Sequence, residues 1–436
     1  MLLIYTPRLT NRLGYTLNVL LRDVLHTPFG ITTDEQVYAR HADAKLCYGR
    51  RLAGGLYVKA ASLLFETSID EQEPRPFCHD GQWMLFPVLG QGVAFPFDPL
   101  AATFYMVSRY EEYLPHRQDA HGRFQSDGHL AVQHGFATEP VVDQWAMLLR
   151  GAVEQAYPGF TFGQRRYQMV QTVDIDTAWC YRHKGLYRTL MGLGRDLLAR
   201  RDLAAVRQRL RVLARREPDP FDTFDYIIGQ HRRSPDSHLL FFALLADYDL
   251  YDKPANYHQS HTRQLLQHLG DYAKMGIHPS YNSLDNPRLV DVETDRLQQI
   301  LHRHIVRSRY HFLRLRLPQS YRALLHAGLR HDYTMGFADT AGFRAGISSP
   351  YPFYDLERDF ETELTIHPFC AMDTALKSHM GLDPGQALDL YRKLIDSVRR
   401  VDGTYCAIIH NQNLSAYDGW QQWRGVYEQT LEWARP

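Results

Sequence analysis

The sequence predicts a barrel-like α/β fold, with parallel strands joined by crossover helices, behind a smaller α/β N-terminal unit. Two observations carry this. From Tyr167 onward, β-rich or apolar runs (YQMVQTVDID, HLLFFALLADYD, TYCAIIHNQN) alternate with helical patterns, and that alternation demands crossover connections and parallel strands. Before Tyr167 the pattern differs, and 436 residues exceed one ordinary core. Two domains are expected, 1–163 and 164–436.

In chain order, the first part predicts helices at Tyr15–Leu25 and Pro99–Leu114. The polar, glycine-containing run HRQDAHGRFQSDG from His116 predicts a loop, and Val141–Ala156 a helix ending before the turn at Pro158 and Gly159. In the second part, YQMVQTVDID is a strand ending in acids, and Arg195–Arg216 predicts a long, basic, amphipathic helix. HLLFFALLADYD is a buried strand, followed by a helix over Thr262–Ala273 and the turn MGIHPSYNS. Helices at Val292–His304 and Gln319–Gly328, a late strand TYCAIIHNQN and a terminal helix Gly419–Ala434 complete the chain.

Composition excludes several classes. Hydrophobic residues make up 44% and charged residues 22%, as in a soluble globular protein. Lysine plus arginine equals aspartate plus glutamate at 49 each, so no overall field draws the chain to nucleic acid or to an anionic membrane. Five scattered cysteines without a CxxC pair fit a reducing compartment better than a disulfide framework. The start lacks the layout of a signal peptide, and no apolar run approaches the ~18 residues of a membrane span. A cytoplasmic protein is the expectation. The basic helix lacks interleaved aromatics, which points to a solvated face rather than a nucleic-acid patch.

Three strand ends carry ionisable groups. Asp174 and Asp176 in TVDID, two residues apart, project from one face of an extended strand. They suit a cation or a proton relay, and equally a solvated strand end or a helix cap at Asp176 or Thr177. His278 leaves a tight turn between Gly276 and Pro279, as a metal ligand or a structural histidine. His410 ends the run AIIH, where an imidazole can shuttle protons or stay hydrogen-bonded in the core. Their coincidence at the ends of successive strands, where the loops of such folds converge, points to a site.

These motifs, in this order, resemble those of the polysaccharide deacetylases, the family 4 carbohydrate esterases. The segments SRYEEYLPHRQDAHGRF, IHPSYNS, DYTMGFADTAGFRAGISSPYPFYDL and IIHNQNLS are similar to a branch with its own N-terminal domain, often encoded with surface-polysaccharide genes. The resemblance implies a distorted (β/α) barrel behind the smaller N-terminal α/β domain. It implies Asp174 as general base, Asp176 and His278 as metal ligands, and His410 as general acid. The family's second histidine, four residues after the first, is here Asn282, and an amide is a weak ligand for zinc.

Arg309-Tyr310-His311 falls where the family has its arginine turn. Arg309 would then orient Asp174, and His311, two residues on and on the same strand face, would be the third ligand, with His367 as runner-up. Tyr281, Arg344 and Asp355 look like substrate contacts, or, for the latter two, like a structural ion pair. Tyr351, Phe353 and Trp420 suit stacking on sugars or ordinary packing.

The implied activity is that of a hydrolase that uses a divalent metal, zinc first, to remove acyl groups from an N- or O-acetylated sugar or glycan precursor. Two other readings compete: a binding module that has lost its metal along with the second histidine, and a hydrolase of non-sugar amides on the same fold.

Overall fold

The computed structural model describes residues 1–417 and 419–436. Its first sheet has four parallel strands, β1 (Leu2–Tyr5), β2 (Phe29–Thr32), β3 (Lys45–Tyr48) and β4 (Leu56–Val58), in the order β2-β1-β3-β4. A hairpin, β5 (Phe77–His79) and β6 (Gln82–Met84), follows. The helix expected over Pro99–Leu114 stops at Val107. Asp98 caps its start by accepting from the N–H groups of Leu100 and Ala101, and Arg109, in the left-handed region at φ 55°, breaks it before the short turn Tyr110–Glu112.

The second sheet holds β7 (Gln168–Ile175), β8 (His238–Ala243), β9 (Lys274–Ile277), β10 (Arg307–Ser308), β11 (His331–Asp332), β12 (Tyr351–Asp355), β13 (Phe360–Ile366), β14 (Ala371–Met372) and β15 (Thr404–His410). Their order is β12-β13-β11-β10-β9-β8-β7-β15-β14, parallel throughout except for the pairing of β12 with β13. Each step from β7 to β11 moves one place across the sheet by way of a helix, as the alternation requires. The expected barrel is a curled sheet. Among the described residues no ladder runs between its two edges. The segment between β13 and β14 instead bonds to strands on both sides of the sheet: the His367 N–H donates to Asp332 O of β11 at 2.8 Å, and three residues later the Cys370 N–H donates to Cys406 O of β15 at 2.9 Å.

The N-terminal helix Asn11–Leu17 lies on the edge strand β12. Tyr15 donates to Pro352 O at 2.8 Å and packs on Tyr354, with ring centroids 4.7 Å apart. This covers an edge that would otherwise be free to pair with another chain.

The basic helix expected over Arg195–Arg216 is two helices. A helix from Gly185 runs on to Ala199, and after a break at Arg201 (φ 53°) a second covers Leu203–Leu213, capped by Asp202. The apolar periodicity continues across the break, which is why the sequence reads as one.

Candidate active site

Register places the chemistry. Asp174 lies level with His410 on β15 and with Phe242 on β8, which is level with Gly276 on β9. Asp176 and His278, each two residues further along, therefore leave the same end of the sheet. Gly276 is required there, because a Cβ would come within 2.5 Å of the Phe242 ring. That ring in turn carries the Arg309 guanidinium at 4.6 Å. Arg309 is fully buried, and its Nη1 donates to Asp174 Oδ1 at 2.8 Å and to Thr172 Oγ1 at 2.9 Å.

Asp176, His278 and His311 converge: one ligand atom from each lies within 4.8 Å of the others. His278 Nε2 is 3.4 Å from Asp176 Oδ1, and His311 Nε2 is 3.8 Å from the same oxygen. Neighbours fix both rings. His278 Nδ1 donates to the carbonyl of Arg309 at 2.5 Å, which fixes a proton on Nδ1 and turns Nε2 toward Asp176. His311 Nδ1 bonds the buried Asp252 carboxylate at 2.7 Å, which likewise aims Nε2 at Asp176. Asp176 Oδ1 is buried without a hydrogen-bond partner. A carboxylate oxygen without a hydrogen-bond partner, facing two imidazole Nε2 atoms, fits a divalent cation that takes the place of any proton there.

His410 forms the other side. Its Nδ1 bonds Asp373 Oδ1 at 2.7 Å, its backbone N–H bonds Asp373 Oδ2 at 2.9 Å, and Nε2 faces Asp176 Oδ2 at 3.6 Å. Burial alone would lower its pKa, but Asp373 and then Asp176 outweigh it and raise it to about 10. For His278 too, Asp174 and Asp176 overcome burial and raise the value. Asp176 moves the other way: against burial, the imidazoles of His410, His311 and His278 hold it well below the usual carboxylate range.

The cavity between these groups measures about 230 Å³. Arg123, Thr374 and His379 line it as well, and Leu313, Ala338 and Met372 make one side apolar. Arg123 belongs to the loop that follows Pro115, held there by its bond from Nη1 to Phe312 O at 2.8 Å. The N-terminal part of the chain thus forms part of the wall.

Several expected residues sit elsewhere. His311 does not reach the cluster along a strand: β10 ends at Ser308, and His311 opens a tight turn in which Phe312 and Leu313 have φ near 58° and 53°. Asn282 is turned away, its amide donating to Asp249 at 2.6 Å. His367 pairs with His331 at 3.1 Å and stacks on Tyr333, outside the cavity lining.

Arg344 and Asp355 do not line the cavity either, because each is held in an ion pair, buried for Arg344 and half-buried for Asp355. Arg344 holds Glu112 at 2.7 Å, and Asp355 holds Arg322 at 2.7 Å. Tyr281 stands behind the wall, stacked on Tyr251 at 4.2 Å and against Phe312. Tyr351 and Phe353 are core residues.

Sequence reasoning missed Asp252, Asp373 and Arg123. Asp373 follows a strand end, the signal used for the other three, but β14 is two residues long and unreadable as a strand.

A model of a family of unknown function (DUF7033) matches residues 2–158. No curated protein matches. Among solved structures, one assigned as a polysaccharide deacetylase from Mycobacterium smegmatis aligns at 13% identity over 63% of this chain and 85% of its own, with a TM-score of 0.38. A 4-alpha-glucanotransferase from Thermococcus litoralis aligns at 10% identity over 62% and 37%, TM-score 0.36. A mutant of a carbohydrate esterase family 4 (CE4) pseudoenzyme with restored activity aligns at 9% identity over 61% and 63%, TM-score 0.26.

Proposed function

We propose that this protein is a metal-dependent hydrolase that removes an acyl group from an N-acetylated or O-acetylated sugar or glycan precursor. The observation that carries it is the convergence of Asp176, His278 and His311, with the Nε2 atoms of both imidazoles aimed at one unpartnered carboxylate oxygen. The donor set of two nitrogens and one oxygen suits zinc. The cation would supply a water of lowered pKa and an electrophile for the carbonyl oxygen.

The chain's own residues do the rest. Asp174, held by Arg309, accepts a proton as water oxygen bonds to the carbonyl carbon. The carbon–nitrogen bond then breaks, its electrons staying on nitrogen, and Nε2 of His410 gives that nitrogen a proton. Asp373 keeps His410 in its charged form at neutral pH. The apolar side formed by Leu313, Ala338 and Met372 suits the methyl of a short acyl group.

A binding module that has lost its metal with the family's second histidine is the competing reading. His311, with Nδ1 bonded to Asp252 and Nε2 3.8 Å from Asp176, supports the hydrolase over it. We extend the reading to a cytoplasmic precursor of surface polysaccharide, with a division of the chain near residue 163.

The test is metal content and hydrolysis of acetylated chitooligosaccharides by the purified chain. About one zinc per chain, lost in Asp176→Ala, supports the reading; a metal-free wild type inactive even after zinc is added sinks it.

A further inference from the structure

The crossover between β7 and β8 carries a feature that catalysis does not use. The helix Gly185–Gly194 buries none of its residues. Its apolar side chains nevertheless recur at helical spacing, with Leu186, Leu190 and Leu197 on one line and Tyr187, Met191 and Leu198 on the next. They point to solvent: Leu186, Tyr187 and Leu198 are each about three-quarters exposed. Leu203 and Leu210 continue the exposed apolar surface on the second helix.

The pair is a built element. Arg209 of the second helix reaches back to the fully buried Asp196 at 2.5 Å and packs against Gly192, where a Cβ would meet its guanidinium at 2.7 Å.

Its charge is one-sided. Residues 182–216 hold eleven arginines and lysines against two aspartates, in a chain whose overall balance is zero. A solvated helix face explains the arginines but not the leucines, and a protein–protein patch explains the leucines but not so many cations. An interfacial helix explains both, with apolar side chains in the acyl boundary and arginines among anionic headgroups.

A second observation concerns the neighbouring cavity of about 200 Å³, whose wall includes Arg182, Lys184, Arg188 and Lys253 and no carboxylate. Asp219, whose carboxylate accepts from the backbone N–H groups of the lining residues Arg182 and Phe221 and of Cys180 and Tyr181, is already occupied by them. Its lining residue Thr177 directly follows Asp176 of the catalytic cavity.

We propose that the helical pair 185–213 seats this protein on an anionic lipid surface, with the adjoining basic cavity at the level of the headgroup phosphates. The inference goes beyond the proposed hydrolysis and does not depend on it.

The test is co-sedimentation of the full chain with vesicles of phosphatidylglycerol and phosphatidylcholine in a one-to-two ratio, against phosphatidylcholine alone. The chain should sediment with the anionic vesicles and be released by high salt. Leu186→Glu with Leu190→Glu and Leu198→Glu should weaken binding about tenfold or more. That variant's unchanged hydrolysis of a soluble acetylated sugar and unchanged circular dichroism show that it still folds. Asp176→Ala should sediment like the wild type, which separates docking from catalysis. The proposal is overturned by a wild type that stays in solution, or by a triple variant that binds equally well. It is also overturned by a self-associated wild type, seen in light scattering without vesicles, whose association the triple variant abolishes while vesicle binding is absent.

Discussion

Asp252 touches neither the candidate cation position nor the cavity wall, yet replacing it should weaken metal binding measurably. Its Oδ1 takes the Nδ1–H of His311 at 2.7 Å, and its two oxygens take the N–H of Tyr281 at 3.0 and 3.1 Å, all in a buried position. In Asp252→Asn the amide oxygen can occupy the place of Oδ1 and keep both bonds from that atom, so what disappears is the negative charge behind the imidazole. In Asp252→Ala both donors are stranded in the interior, at about 1–3 kcal/mol each, and His311 is free to rotate its lone pair away from Asp176. Carboxylates behind metal-bound histidines typically account for ~10–100-fold in affinity. Asp252→Asn should fall near the low end, about tenfold or ~1.4 kcal/mol, and Asp252→Ala near the high end with a lower melting temperature. Zinc competition against a chromophoric chelator measures both. If both variants hold zinc within about twofold of the wild type, His311 is not a ligand and the assigned geometry is wrong.

Three further outcomes follow from the same structure. Asp174→Asn should keep its zinc and lose about 10²–10⁴-fold in kcat, since the base is replaced while Asp176, His278 and His311 stay intact; zinc loss in that variant would contradict the separation of base from ligand. His410→Asn should cripple amide hydrolysis but scarcely slow a 4-nitrophenyl ester, whose leaving group needs no proton, and equal losses on both would remove His410 as the acid. Glu112 is buried, which alone would raise its pKa, but Arg344 and Arg109 lower it from 4.5 to about 2. The group's folded value is depressed, so its stabilisation is complete above pH 4.5 and is lost as pH falls through about 2, on the order of 3 kcal/mol. Urea unfolding at pH 7 and at pH 3 should therefore differ less in Glu112→Gln than in the wild type, and an unchanged difference would count against the pairing.

What the sequence made legible is what repeats locally. The acids of TVDID, the imidazole after MGI and the imidazole after AII each follow a run whose alternation or apolarity marks a strand, so their arrival at one end of a parallel sheet was readable. The boundaries of elements were less so. Arg109 and Arg201 end helices by adopting the left-handed region without being glycine, which no periodicity reveals. Partners at long range were unreadable altogether. Asp252 lies 59 residues from the histidine it orients, and Asp373 lies 37 from His410. Arg344 shows the converse, because its position in a distinctive motif suggested substrate contact, whereas Glu112, 232 residues away, takes its charge. Only register and packing decide such pairs.

Those partners also explain how three imidazoles around one carboxylate can do different work. His278 donates to a neutral carbonyl, which fixes the proton on Nδ1 and directs Nε2 toward Asp176 as a ligand. His410 donates to a carboxylate whose second oxygen is held by its own backbone N–H and by the amide of Asn413 at 2.9 Å, so the ring cannot leave that charge and is kept protonated. His311 also has a carboxylate behind it, and the ring opens a turn that points its Nε2 at Asp176. Exchanging these environments should exchange the roles. Asp373→Asn ought to drop the pKa of His410 toward ordinary imidazole values, leave zinc in place, and move the alkaline limb of the pH–rate profile down with it. A profile that keeps its alkaline limb would show that the acid is another group.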